Sequence, residues 1–222
     1  MPNKKATLLG ATGLIGGHLL QLLQDDETYT EIKLLVRRKI DIKHPKVNVA
    51  VIDFEDKTSF KSQIIPDSVI FCAVGTTSSK VKGNKDLYRK VDYDISVNAA
   101  EFGLEKGCKQ FLLVSSLGAN PKSSNFYYKL KGEVEEALID LKIPTIAIFR
   151  PSLLLGQREE FRFGETLAKI LMTTFSFVLP SKIKPIRADD VAKAMLSVSK
   201  SKTKGTKIYH NRDIMASINE TE

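Results

Sequence analysis

The chain has 222 residues, no linker-like stretch and no internal repeat, which points to a single domain, residues 1–222, with a substantial core. The segment Met1–Lys5 enters the first apolar run without a secretory apolar region, and no uncharged run is long enough to cross a bilayer, so the expectation is a soluble cytoplasmic protein with no membrane partner. The formal charge is +8, but the lysines are scattered rather than grouped in a stripe with aromatics; this argues for solvated faces and attraction for an anionic cofactor, and against a nucleic-acid partner.

A short apolar run, Ala6 to Leu9, predicts a buried first strand, and apolar spacing over Leu14–Leu23 predicts the helix that follows. Between them Gly10, Gly13 and Gly16 stand at the spacing G-x-x-G-x-x-G. Glycines at a strand-to-helix turn let the backbone approach a pyrophosphate, and the first amides of the helix face the anion. Alone, the same spacing also describes a tight β–α turn with no ligand.

A second strand, Ile32–Val36, runs into Arg37, Arg38 and Lys39. A dinucleotide with a free ribose 2′-hydroxyl calls for an acidic side chain there. Arginines instead suit a 2′-phosphate, so Arg37, with Arg38 second, points to NADP(H); a merely exposed basic strand end is the alternative. After a third strand, Val47–Ile52, Asp53 either accepts from the adenine amino group, with Phe54 beside the ring, or caps the following helix. A fourth strand, Val69–Val74, ends in Gly75 and Thr76, where backbone from Ala73 to Thr76 lines the cofactor or Gly75 simply terminates the strand. Cys72 and Cys108 have no metal-ligand spacing and read as buried free thiols.

After a predicted helix over Asp86–Glu105, the strand Phe111–Val114 ends in Ser115 and Ser116, and a helix is predicted over Phe126–Leu141. Tyr127 and Lys131 are four apart and share a face of it, where an ammonium favours the phenolate and a strand-end serine can hold the same substrate oxygen. Tyr128 has no such partner, because Gly132 stands four residues on. A sixth strand, Thr145–Phe149, completes an alternation of β and α that predicts an α/β doubly wound parallel sheet of Rossmann type, with its ligand at the carboxyl ends of the strands.

In this order, these elements resemble the short-chain dehydrogenase/reductase superfamily in its atypical branch. Ser115–Ala119, Ser123–Tyr127, Lys131–Glu135 and Phe149–Leu155 are similar to the HIV Tat-interactive oxidoreductase group. The resemblance implies a Rossmann fold, NADP(H), a tyrosine acid and a helper lysine. It places Thr12, Gly13, Leu14 and Ile15 on the diphosphate, Arg37 and Arg38 on the 2′-phosphate, Val74 and Gly75 on the fourth-strand turn, Leu154 and Arg162 on later cofactor-side positions, and Tyr127 with Lys131 at the chemistry; Pro151, beside them, is a further cofactor-side candidate. By the same analogy Ser116 is preferred over Ser115 as the hydroxyl that steadies the substrate oxygen, with Ser115 nearer the nicotinamide or its neighbouring strand. Leu14 and Ile15 have no side-chain donors, so backbone amides must hold the phosphates.

Residues 152–186 are expected to supply most of the substrate cover, with Ile170, Leu171, Phe175 and Phe177 lining an apolar pocket or forming ordinary core. Asp189 is the expected cap of a last helix, Asp189–Ser199, and His18, His44 and His210 lack a second ligand at metal spacing, so no metal is expected. The function these residues imply is an NADP(H)-dependent oxidoreductase that reduces a carbonyl, or oxidises the matching alcohol, of a small molecule. The alternative is an NADP(H)-sensing regulator that reports to a protein partner; a homodimer is compatible with both. An isomerase or reductase of sugar nucleotides ranks third.

Overall fold

The computed structural model describes residues 3–155 and 184–219. Its spine is β1 (Lys4–Leu9), whose Ala6, Leu8 and Leu9 are wholly buried because parallel neighbours flank it on both sides and helices cover both faces. Outward from it lie β2 (Tyr29–Val36) and β3 (Val47–Val51) on one side. On the other are β4 (Val69–Cys72), β5 (Gln110–Val114), β6 (Thr145–Phe149) and β9 (Gly205–Tyr209). The order β3-β2-β1-β4-β5-β6-β9 is parallel throughout, and it reverses direction between β1 and β4. At that switch point the strand ends diverge and leave a crevice for a ligand.

Helix α1 (Leu14–Asp25) packs one face with α6 (Ala188–Lys200); α4 (Ile95–Glu105) and α5 (Phe126–Asp140) cover the other. Asn125 starts α5 by accepting from the amides of Tyr127 (2.9 Å) and Tyr128 (3.2 Å). The two-residue strands β7 (Leu154–Leu155) and β8 (Ile186–Arg187) pair in parallel, and Asn211, opening α7 (Asn211–Asn219), braces them by accepting from the Ser152 amide and donating to the Lys184 carbonyl.

Several expectations change. The predicted helix over Asp86–Glu105 is α3 (Lys85–Arg89), a π-helical stretch Lys90–Asp94, and α4; a widened turn leaves no mark on apolar periodicity. The helix α2 (Lys57–Gln63) is capped by Asp56, which accepts from Ser59 N at 3.0 Å. Asp53 is therefore not the cap; its Oδ1 accepts from Glu55 N at 2.9 Å in a tight turn. Asp189 is not a cap either: α6 begins one residue earlier, and Asp189 lies in its first turn, paired with Arg187 at 2.9 Å. Nor is α6 the final helix, since β9 and α7 follow. The strand β9 is mostly exposed at its start and takes its place by pairing with β6 and stacking Tyr209 on Phe149 at 5.0 Å.

The carboxyl end of α1 is held by charge. Lys46 Nζ donates to the carbonyls of Gln24 (2.9 Å) and Asp26 (3.0 Å), while Asp26 Oδ2 takes Lys200 Nζ at 2.8 Å. Burial pushes the Asp26 carboxyl up, but hydrogen bonds from Lys200 and Thr28 outweigh it and hold it below its usual value. A depressed carboxylate adds stability above its unfolded value, near 4, and loses it as pH falls through the folded one. Asp26→Asn is therefore expected to cost about 1 kcal/mol at pH 7, with the gap to wild type closing below pH ~4 in thermal melts at both pH values.

Candidate functional site

The three glycines of the first turn have separate tasks. Gly10 closes β1 at φ +86°, and a Cβ there would sit 2.5 Å from the Ala73 carbonyl oxygen, so the turn is pressed against the end of β4. Gly13 is the N-cap residue of α1; its amide donates to Gly10 O at 2.8 Å, and no side chain caps the first turn, which has no acidic residue. Those uncapped amides face a cavity of about 700 Å³ lined by Gly10, Thr12, Gly13, Leu14 and Ile15. Gly16 is behind the wall, where a Cβ would meet Gly10 O at 2.1 Å; its task is to let helix and turn touch.

Arg37 and Arg38, exposed just past β2, line the same cavity with Phe54. Arg37, Asp53 and Phe54 also border an adjoining cavity of about 720 Å³. From the end of β4, Ala73, Val74, Gly75 and Thr76 line the first cavity, and from the far side Ser115, Tyr127, Lys131 and Leu154 do. Most residues singled out in the sequence thus meet in one place. Ser116 and Pro151 stay outside its wall: Ser116 Oγ donates to Leu117 O at 3.2 Å, and the Pro151 carbonyl accepts from Leu117 N at 2.9 Å. Arg162 and the apolar run with Ile170, Leu171, Phe175 and Phe177 lie outside the described residues.

Helix α5 separates the two tyrosines. Tyr127 turns to the cavity and packs edge-on against Tyr88, 6.4 Å between centroids, while Tyr88 itself donates to Thr76 O at 3.0 Å. Tyr128 lies against Gly118, whose Cβ would approach its ring to 3.2 Å. Gly132, the residue that denied Tyr128 a lysine, sits where α5 presses on the preceding loop; a Cβ there would be 2.2 Å from Pro121 N.

Two buried acids were missed in the sequence. Asp92, only 1% exposed, places Oδ1 at 2.8 Å from Lys131 Nζ and accepts the Thr76 amide on Oδ2 at 2.7 Å. The signal was its place with Ser96, Ala99 and Gly103 on a buried face of small residues, but that face crosses the π-helical stretch. Glu135, eight residues past Tyr127, takes the Ser115 hydroxyl and a two-point contact from Arg150, whose Nε lies 3.0 Å from Oε1. Cys72 and Cys108 are free; burial pushes both thiols up, so neither is a ready nucleophile. Among the described residues no three His, Cys, Asp or Glu side chains gather as a metal site, and no helix is long and apolar enough to cross a membrane.

Comparison with known proteins agrees with this geometry. The NAD(P)H-binding family profile matches residues 10–164, from the first glycine of the turn. Protein HTATIP2 of Rattus norvegicus is 37% identical over 172 residues, 76% of this chain and 70% of its own. The mitochondrial protein FMP52 of Candida albicans is 33% identical over 204 residues, 89% of each. Among solved structures, a UDP-N-acetylglucosamine 4-epimerase from Methanobrevibacter ruminantium superposes with TM-score 0.71 at 17% identity, covering 95% of this chain and 77% of the epimerase. A putative NAD-dependent epimerase/dehydratase from Bacillus halodurans gives 0.70 at 19% identity, over 98% and 100% of the two chains. At such identities these structures speak for the fold alone. A glycine turn, a switch-point crevice and relatives matched over most of the chain lead to one conclusion: this protein belongs to the NAD(P)H-binding family and, within it, to the group of HTATIP2 and FMP52, the HIV Tat-interactive protein-like group.

Proposed function

We propose that this protein is an NADP(H)-dependent oxidoreductase of the short-chain dehydrogenase/reductase type, which reduces a carbonyl of a small molecule or oxidises the matching alcohol. The observation that carries the reading is the meeting of Tyr127 and Lys131 with the glycine turn and Arg37 in one cavity. NADPH supplies the hydride when bound. Tyr127 donates the proton to the developing alkoxide, and Lys131 supports Tyr127 and holds the nicotinamide ribose. Ser115 is committed to Glu135. Ser116 is the hydroxyl proposed for the substrate oxygen; it stands outside the cavity wall with its Oγ on Leu117 O at 3.2 Å, so it must turn from Leu117 to take that part. The test is NADPH oxidation by the purified protein across a panel of small carbonyl compounds. Tight NADPH binding with no turnover on any of them supports instead the regulator that senses the cofactor ratio for a protein partner.

For the cofactor, Arg37 and Arg38 line the cavity just past β2 and support the choice of a 2′-phosphate, while Leu14 and Ile15, without side-chain donors, would leave a diphosphate to backbone amides. The double variant Arg37→Ala/Arg38→Ala is expected to weaken NADPH binding by roughly 10- to 100-fold, the range for charged hydrogen bonds, while NADH affinity changes little. Fluorescence titration with both nucleotides checks it, and equal losses for the two overturn the preference. Two free buried cysteines suit a reducing compartment. The compartment proposed is the cytoplasm; the FMP52 relatives are named mitochondrial, and fractionation of the tagged full chain decides between them.

A further inference from the structure

Leu154 forms part of the cavity wall at the end where Tyr127 and Lys131 stand, but its strand cannot hold it there alone. Strand β7 has two residues and pairs with β8, also of two, in a sheet apart from the seven-stranded one. A ladder that short is marginal on its own in water. The support comes from Asn211, which is 6% exposed. Its Oδ1 accepts from Ser152 N at 3.0 Å, and its Nδ2 donates to Ser152 Oγ at 2.8 Å and to Lys184 O at 2.7 Å. The amide fits only this way round, because Ser152 N can only donate and Lys184 O only accept. Ser152 leads into β7 and Lys184 into β8, so one side chain ties both strands at their entry.

Asn211 is itself fixed from the main sheet. Tyr209, two residues earlier, pairs with Phe149 of β6, and its carbonyl accepts from Arg150 N at 2.8 Å; Ile214, three residues later, is wholly buried in the core. Among the described residues neither β9 nor α7 lines the cavity. We infer that Asn211 is a positioning residue for the nicotinamide end of the cofactor: it carries the register of β9 and α7 to Leu154, and so sets the wall against which that end is held beside Tyr127. This rests on the reading that places the reaction at Tyr127, and it gives the peripheral β9 and α7 a task at the site.

The test separates the two ends of the cofactor. The full chain is titrated calorimetrically with NADPH and with adenosine 2′,5′-bisphosphate, which carries the adenosine and its 2′-phosphate but no nicotinamide. Asn211→Asp keeps the acceptor for Ser152 N, loses both donors and sets an oxygen against the Lys184 carbonyl. It is expected to weaken NADPH binding on the order of tenfold, the scale of one or two lost hydrogen bonds, and bisphosphate binding by less than about twofold, as for a distant site. Asn211→Ala is expected to give the same selective loss, and it carries the test if Asn211→Asp does not fold. Equal losses for the two ligands overturn the inference, since a merely structural fault does not distinguish them. Unchanged NADPH affinity in either folded variant overturns it too. Where wild type prefers NADH, NADH and AMP form the same pair. Failure of the catalytic reading has a different sign, no carbonyl being turned over by wild type, and the two titrations still score Asn211 in that case.

Discussion

Tyr127→Phe is expected to lower kcat by about a thousandfold, the scale of losing a positioned general acid, while NADPH affinity stays close to that of wild type. The phenol is the proton donor in the proposed reaction, yet the ring does the packing: Tyr127 stands against Tyr88 and Tyr128 through its face and edge, contacts that phenylalanine keeps. Binding and chemistry therefore separate. Steady-state reduction of the best carbonyl in the panel, together with NADPH titration of the same preparation, reads the two effects independently. Tyr128→Phe is the matched control, because Tyr128 packs against Gly118 away from the cavity; it is expected to leave kcat nearly unchanged. A Tyr127→Phe protein with full turnover removes the assignment, and one that has lost NADPH would show that Tyr127 belongs to the cofactor site rather than to the chemistry.

The second large effect concerns Gly16. An added methyl group there would stand 2.1 Å from the Gly10 carbonyl oxygen and 2.7 Å from its carbon, and that oxygen is held by the Gly13 amide at 2.8 Å. The obstacle is backbone within a tight turn, not the tip of a flexible side chain, so α1 must move away from the turn. Gly16→Ala is expected to cost on the order of 3 kcal/mol, which for a chain of this size lowers Tm by roughly 6–12 °C. It also pulls the first amides of α1 from the cavity, so NADPH binding fails even below the melting transition. Gly17→Ala, one residue on, is the opposite case. Its methyl group meets only Ala11 O at 3.6 Å, an ordinary contact, and replacing a helical glycine is expected to raise stability by about 0.5–1 kcal/mol. Thermal melts with and without NADPH check the pair; equal melting points for the two variants would refute the packing argument.

Much of the ligand-facing surface was legible because its signals are local. Apolar runs of strand length, glycines three apart, arginines at a strand end and a tyrosine four before a lysine are all patterns within a single element or turn. The doubly wound sheet turns these into convergence, since the carboxyl ends of β1, β2, β4 and β5 come together at the switch point. Elements whose stability comes from elsewhere were harder to see. β9 begins with exposed Gly205, Thr206 and Lys207 and owes its strand character to β6; α2 is seven residues long with Phe60 as its buried anchor.

By itself, then, the sequence determined the α/β alternation, the turn that offers backbone amides, and which residues of α5 share a face, because periodicity and short-range sterics decide those. Only the tertiary structure decided which groups those residues meet. Apolar periodicity does not record a π-helical stretch, so it could not show Asp92 reaching Lys131 across 39 positions of chain at 2.8 Å. Nor could it show that Ser115 is bound to Glu135, or that Asn211 joins Ser152 and Lys184. A buried polar group is tolerated only where long-range packing supplies its partner, and that supply is a property of the assembled sheet and helices, not of any one segment.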